Sequence, residues 1–263
     1  MLAIAARDRE LFALSRLELV PMSNDDLDTL LELARINDCE PACKPNPEKA
    51  FQYYKQAAEL GSPYAQYCVG ACYAQGYGVL KDDEEAFKWY FKSARQKPPG
   101  FSCAQYAVGL CYQNGRGVPQ DDGEAIRWFR KAAELGLAVA QCELAHCYRV
   151  GRGTPKDLEA AFRWYEKAAE EGDVIAQNNL ATCYEHGMGV TQDITRAYTW
   201  FLLAADGELE SARKALTDLI ALMSPSQLET AQRLYREFRR RIPQNNSGFK
   251  RLCKNLTALS SQV

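Results

Sequence analysis

The chain has 263 residues, 25% of them charged and 47% hydrophobic, which is enough apolar side chain for a large core. A net charge of −2 supplies no global field toward nucleic acid or an anionic membrane. No apolar run approaches the roughly 20 residues of a membrane helix, so neither nucleic-acid binding nor membrane insertion is expected.

The first six residues are apolar enough to open a leader, but Arg7, Asp8, Arg9 and Glu10 cut that stretch short. Residues 1–29 read instead as a helical cap. Leu11, Leu14, Leu17 and Leu19 recur at near-helical intervals, and Ser23 or Asn24 starts the next helix. Residues 30–64 read as a degenerate repeat. Its second half, Lys55 to Gly61, resembles Lys131 to Gly136, while its first half carries Cys39 and Cys43 where later units carry paired glycines.

Four clear repeats follow over residues 65–206. The glycine pairs begin at Gly76, Gly115, Gly151 and Gly187, spaced 39, 36 and 36 residues apart. The aromatic pairs begin at Trp89, Trp128, Trp164 and Trp200, and the Ala-Gln pairs at Ala65, Ala104, Ala140 and Ala176, with the same spacings. Three markers in one phase exclude coincidence and point to a solenoid. The longer first interval places a three-residue insertion near Gln96 to Gly100.

Within one unit, Ala140, Leu144 and Tyr148 fall on one face of a first helix. Gly151 ends that helix with a left-handed cap, and Gly153 lets the chain reverse. Asp157 starts a second helix whose buried stripe is Ala161, Trp164, Tyr165 and Ala168, and Gly172 stops it. Such a hairpin cannot bury its own apolar faces, so neighbouring hairpins must stack. Small residues at Gly70, Gly109, Ala145 and Ala181 let helices approach, and the tryptophans are expected to fill the space between repeats.

Residues 207–263 read as a C-terminal helical cap and tail. The segment from Glu210 to Leu222 keeps the helical rhythm, and Ser224-Pro225-Ser226-Gln227 is a capping box opening a helix to about Arg241. A loop from Pro243 to Gly248 and a short basic helix, Phe249 to Leu259, are expected after it.

The unit resembles the SEL-one-like repeat (SLR), a relative of the tetratricopeptide repeat, well over residues 60–206 and poorly over 30–60. The resemblance implies an all-α, right-handed α-solenoid of stacked antiparallel helix pairs and a role as a protein-interaction adaptor or scaffold. A cysteine-rich secreted branch of the family bridges the two helices of each repeat by a disulfide. This chain departs from that branch. Cys72, Cys111, Cys147 and Cys183 share one position, and no second cysteine recurs at Ala133, Ala169 or Ala205. Stacked equivalents lie beyond the roughly 7 Å Cα limit for a disulfide. These thiols read as small buried hydrophobes, which fits a reducing compartment such as the cytoplasm.

No catalytic constellation emerges, and neither an enzyme nor a cofactor is expected. His146 and His186 occupy non-equivalent positions and read as solvated surface histidines. Ser211-x-x-Lys214 and Ser247-x-x-Lys250 lack the companion motifs of penicillin-interacting enzymes. Cys39 and Cys43 are the metal-ligand candidates, two short of a structural zinc set. The competing reading is a cysteine-dependent metal- or haem-binding protein, or a hydrolase, built on the same repeats.

A helical wheel that turns Ala65, Val69, Cys72 and Tyr73 toward the core leaves the third, seventh and tenth positions of each first helix free. On that basis the concave wall is expected to hold a protein or peptide segment. Tyr67 and Tyr106 would be anchors, Asn178 a backbone clamp, and Gln113, His146, Arg149 and Glu185 polar contacts.

Overall fold

The computed structural model describes residues 24–38, 46–96 and 100–243. Among these residues the secondary structure is twelve α-helices and no strand. Successive hairpins are α1 (Asn24–Asp38) with α2 (Pro47–Glu59), α3 (Pro63–Gln75) with α4 (Asp83–Ala94), and α5 (Ser102–Asn114) with α6 (Asp122–Glu134). They continue as α7 (Ala138–Val150) with α8 (Leu158–Glu170) and α9 (Val174–His186) with α10 (Ile194–Asp206). The second helix of each hairpin also packs on the first helix of the next, as a continuous solenoid requires. Two helices close the stack, α11 (Glu210–Ile220) and α12 (Pro225–Arg241), both lying on α10. The expected boundary at residues 29/30 falls inside α1, which is one helix paired with α2. The expected N-terminal helix, Cys39, Cys43 and the expected helix at residues 249–259 lie outside the described residues.

Each hairpin is built by the same local chemistry. The Asp82, Asp121, Asp157 and Asp193 side chains accept the backbone N–H three residues on, capping α4, α6, α8 and α10. Gly76, Gly115, Gly151 and Gly187 adopt left-handed conformation, with φ between 65° and 79°, and end the first helices. Their N–H groups donate to the carbonyls of Cys72, Cys111, Cys147 and Cys183.

The second glycine of each pair acts between repeats. A Cβ on Gly78, Gly117, Gly153 or Gly189 would lie 2.0, 1.9, 2.1 or 2.1 Å from the carbonyl oxygen of Pro47, Asp83, Asp122 or Leu158. Each of those carbonyls belongs to the first residue of the preceding hairpin's second helix. Only glycine allows the loop to seat there, so this contact sets the stacking register.

The glutamine in three of the four Ala-Gln pairs is a second brace. Gln66, Gln141 and Gln177 are buried, and their side-chain amides donate to the carbonyls of Ala58, Ala133 and Ala169 at 3.1, 3.2 and 3.2 Å. These carbonyls sit in the last turn of the preceding second helix, where they also accept the N–H of Gly61, Gly136 or Gly172 at 3.2, 3.0 and 3.1 Å. The marker pair therefore joins one hairpin to the next.

The core is filled differently from the sequence expectation. Trp128 and Trp200 are buried, but Trp89 and Trp164 are only half-buried. The second member of each aromatic pair, Tyr90, Phe129, Tyr165 or Phe201, is at most 2% exposed. Tyr90 and Phe129 lie flat against Gly70 and Gly109, where a Cβ would come within 2.7 and 2.5 Å of the ring. Three of the tryptophans, buried or half-buried, carry a lysine one turn on. Lys92 stands over Trp89, Lys131 over Trp128 and Lys167 over Trp164, at 4.9, 3.9 and 4.3 Å.

The period runs one step past the last hairpin. Gly136, Gly172 and Glu208 are each 36 residues apart and all left-handed, at φ of 82°, 86° and 65°. Helix α11 is thus a further first helix. It ends at Ile220, two residues short of the expected Leu222, and α12 starts out of phase. The capping box at Ser224 and Gln227 is present. Trp200 meets Phe238 at 5.1 Å, Arg239 pairs with Asp206 at 3.1 Å, and Arg241 reaches Glu170 at 3.3 Å. These contacts tie α12 across α10 to the end of α8.

Candidate partner-binding wall

The first helices have few free faces. Tyr67 and Tyr106, expected as open anchors, are buried at 2% and 5% exposure, and Ala71, Leu110 and Cys142 are buried with them. Tyr67 packs on Tyr90 of its own hairpin and on Phe101 of the next, with ring centroids 5.6 and 5.5 Å apart. Tyr106 meets Phe129 at 5.6 Å. The wheel assigned each first helix one covered side. In the stack it has neighbours on both sides, which seals the third and seventh positions wherever apolar residues occupy them.

The wall opens further along. Gln113, His146, Arg149, Asn178, Thr182 and Glu185 are half-buried. On α7, the Arg149 Nε donates to the Tyr165 hydroxyl at 3.3 Å. Burial, then the nearby Arg149 and Arg152 guanidinium groups, lowers His146 below its ordinary value. His146 is therefore not the freely solvated histidine expected. His186 is exposed, 3.7 Å from Glu185. Burial raises the Glu143 carboxyl, with Arg152 acting against that rise. On α9, the Asn178 Oδ1 accepts from the Ser211 hydroxyl at 3.3 Å, and Thr182 donates back to the Asn178 carbonyl at 3.0 Å. The inner row thus changes from sealed and aromatic on α3 and α5 to open, polar and charged on α7 and α9. Arg152 and Glu143 were absent from the expected row. Glu143 lies one position beyond the row as counted, and Arg152 sits inside a glycine pair.

Six of the seven described cysteines are buried. All seven described thiols are free. Burial pushes Cys72, Cys111 and Cys147 up to about 12 and Cys183 up to about 11. No group of three or more His, Cys, Asp or Glu side chains there could hold a metal ion. No described helix is long and apolar enough to cross a membrane.

The Sel1 repeat family matches residues 40–62, 63–98, 104–137, 138–173 and 174–208, in register with the hairpins. The chain belongs to the Sel1 repeat family. A Sel1 repeat protein from Oxalobacter formigenes is 32% identical, with a TM-score of 0.71, covering 83% of this chain and 91% of its own. The protective antigen c5321 of uropathogenic Escherichia coli strains, which displays an SLR fold, is 30% identical with a TM-score of 0.75. That match covers 82% of this chain and 46% of the antigen. The chitin synthase regulator SKT5 of Saccharomyces cerevisiae is 42% identical over 55 residues, which is 21% of this chain and 8% of the regulator. The chain therefore matches less than a tenth of that relative's length. Sel1 repeat proteins are in general protein-interaction scaffolds.

Proposed function

We propose that this Sel1 repeat chain is a non-enzymatic scaffold that holds a segment of a partner protein against the open inner wall of α7 and α9. The observation that carries the reading is the change along the inner row. Tyr67, Ala71, Tyr106 and Leu110 are buried, whereas His146, Arg149, Asn178, Thr182 and Glu185 keep polar groups half-exposed. A partner can gain contacts only from atoms that solvent still reaches, so the second half of the solenoid is the working half. Gln113 marks the near edge of that surface. Stacked repeats make the wall rigid, so little ordering entropy is lost on binding.

The test is quantitative affinity capture from the native cell with the intact chain and with Asn178→Trp. The substitution places a bulky uncharged ring in the wall without touching the outer helices. Specific partners should fall at least tenfold while the circular dichroism spectrum is unchanged. Full recovery with Asn178→Trp would place the partner elsewhere.

A further inference from the structure

We propose that the wall between α7 and α9 recognises an acidic segment, with Arg149 and Arg152 receiving the carboxylates. This rests on the inner-wall reading and adds the chemistry of the occupant. His146, Arg149 and Arg152 lie on the C-terminal end of α7 and the loop that follows it, and both guanidinium groups act on His146. Among the described residues, neither arginine comes within 4.0 Å of a carboxylate oxygen, although Arg127, Arg163, Arg196, Arg213, Arg239 and Arg241 all do.

Arg149 spends one donor on a neutral hydroxyl, Tyr165. A guanidinium carries five donors in a planar fork that matches a carboxylate, so most of its capacity is open. The nearby acids do not pair with either arginine. Asp173 caps α9 by accepting from the Ala176 N–H at 2.7 Å. Glu185 lies 3.7 Å from His186, an ion pair only when that histidine is protonated. Glu143 lies among His146, Arg152 and Asp173, and its carboxyl is raised by burial, so it is a weak counter-charge. Neither guanidinium thus has an ion-pair partner among the described residues, and Arg149 is half-buried, where solvent screens a new ion pair less than it does on an open helix, while Arg152 is exposed.

The second basic surface is the outer face of α12, with Arg233, Arg236 and Arg240. It shares that face with Glu229 and Glu237, and all five side chains are exposed, so it offers a weaker and fully solvated field.

The test uses the full chain and an N-acetylated, C-amidated, fluorescein-labelled peptide of four Glu-Gly units, read by fluorescence polarisation at low salt. The control peptide replaces each Glu by Gln. The acidic peptide should bind at least tenfold more tightly than the control and weaken as salt rises. Arg149→Gln and, separately, the exposed Arg152→Gln should each weaken it about tenfold. The exposed variant retains the fold, so a loss there is a loss of recognition. Equal binding of the two peptides, or a loss confined to Arg233→Gln/Arg236→Gln/Arg240→Gln, would overturn the proposal. Native-partner capture separates the two readings. Loss with Asn178→Trp but none with Arg152→Gln sinks the acidic segment and leaves the wall standing.

Discussion

Substituting the two glycines of one pair by alanine should have unequal effects. Gly151 and Gly153 are both left-handed, at φ of 79° and 66°, so each alanine meets the same backbone penalty of about 1–2 kcal/mol. Their surroundings differ. The nearest atom to a Cβ at Gly151 is the Lys156 nitrogen at 3.4 Å, an ordinary contact. At Gly153 it is the Asp122 carbonyl oxygen at 2.1 Å, with the carbonyl carbon at 2.6 Å. Backbone atoms cannot swing aside, so the loop must lift roughly 1 Å off α6. Overpacking of this kind adds about 1–3 kcal/mol. Gly151→Ala should therefore cost about 1–2 kcal/mol and Gly153→Ala about 2–5 kcal/mol. Because the clash lies between hairpins, Gly153→Ala should also weaken the coupling of repeats and broaden the transition. Urea unfolding followed by circular dichroism reads both effects. Equal midpoints and equal slopes for the two variants would refute the assignment of the second glycine to the inter-repeat contact.

Three further outcomes follow from the same geometry. Gln141→Leu removes the side-chain donor to the Ala133 carbonyl, which keeps the Gly136 N–H at 3.0 Å, and should lower stability by about 0.5–1.5 kcal/mol in urea, the net worth of one hydrogen bond. Glu208→Gly should raise stability by about 0.5–1 kcal/mol, because a left-handed non-glycine residue is relieved and the cost of added chain freedom offsets part of the gain. At pH 8 a thiol raised to about 12 has a thiolate fraction near 10⁻⁴, against about one quarter for an ordinary cysteine. Cys72, Cys111 and Cys147 should thus alkylate with iodoacetamide about a thousandfold more slowly in the native chain than in urea, as mass spectrometry of the labelled peptides would show. Comparable rates would mean these thiols are not held in the repeat core.

The hairpin was legible because its signals are local. An aspartate cap, a left-handed glycine and a helical apolar stripe each act within about one turn, so Asp157, Gly151 and Ala140 could be assigned without knowing their neighbours. What failed depended on distant contacts. Tyr67 and Tyr106 looked free because a wheel cannot show that the next hairpin covers the same helix from the other side. Gly153 looked like a chain reversal, although its tight contact is with Asp122, 31 residues earlier. Gln141 marked the period, but its role needed the position of Ala133. The left-handed turn at Glu208 keeps the spacing of 36 residues from Gly172, yet without a glycine it left no conformational signal. His146, Arg149, Asn178 and Glu185, read as free positions, are half-buried, because polar side chains there resist the burial that claimed the tyrosines.

Site-specific photocrosslinking in the native cell examines the working surface most directly, with benzoylphenylalanine placed at Asn178 on the inner wall or at Arg163 on the exposed outer face of α8. A solenoid that works through its open inner wall yields a discrete partner adduct from position 178 and none from position 163. Adducts arising from 163 alone would contradict it.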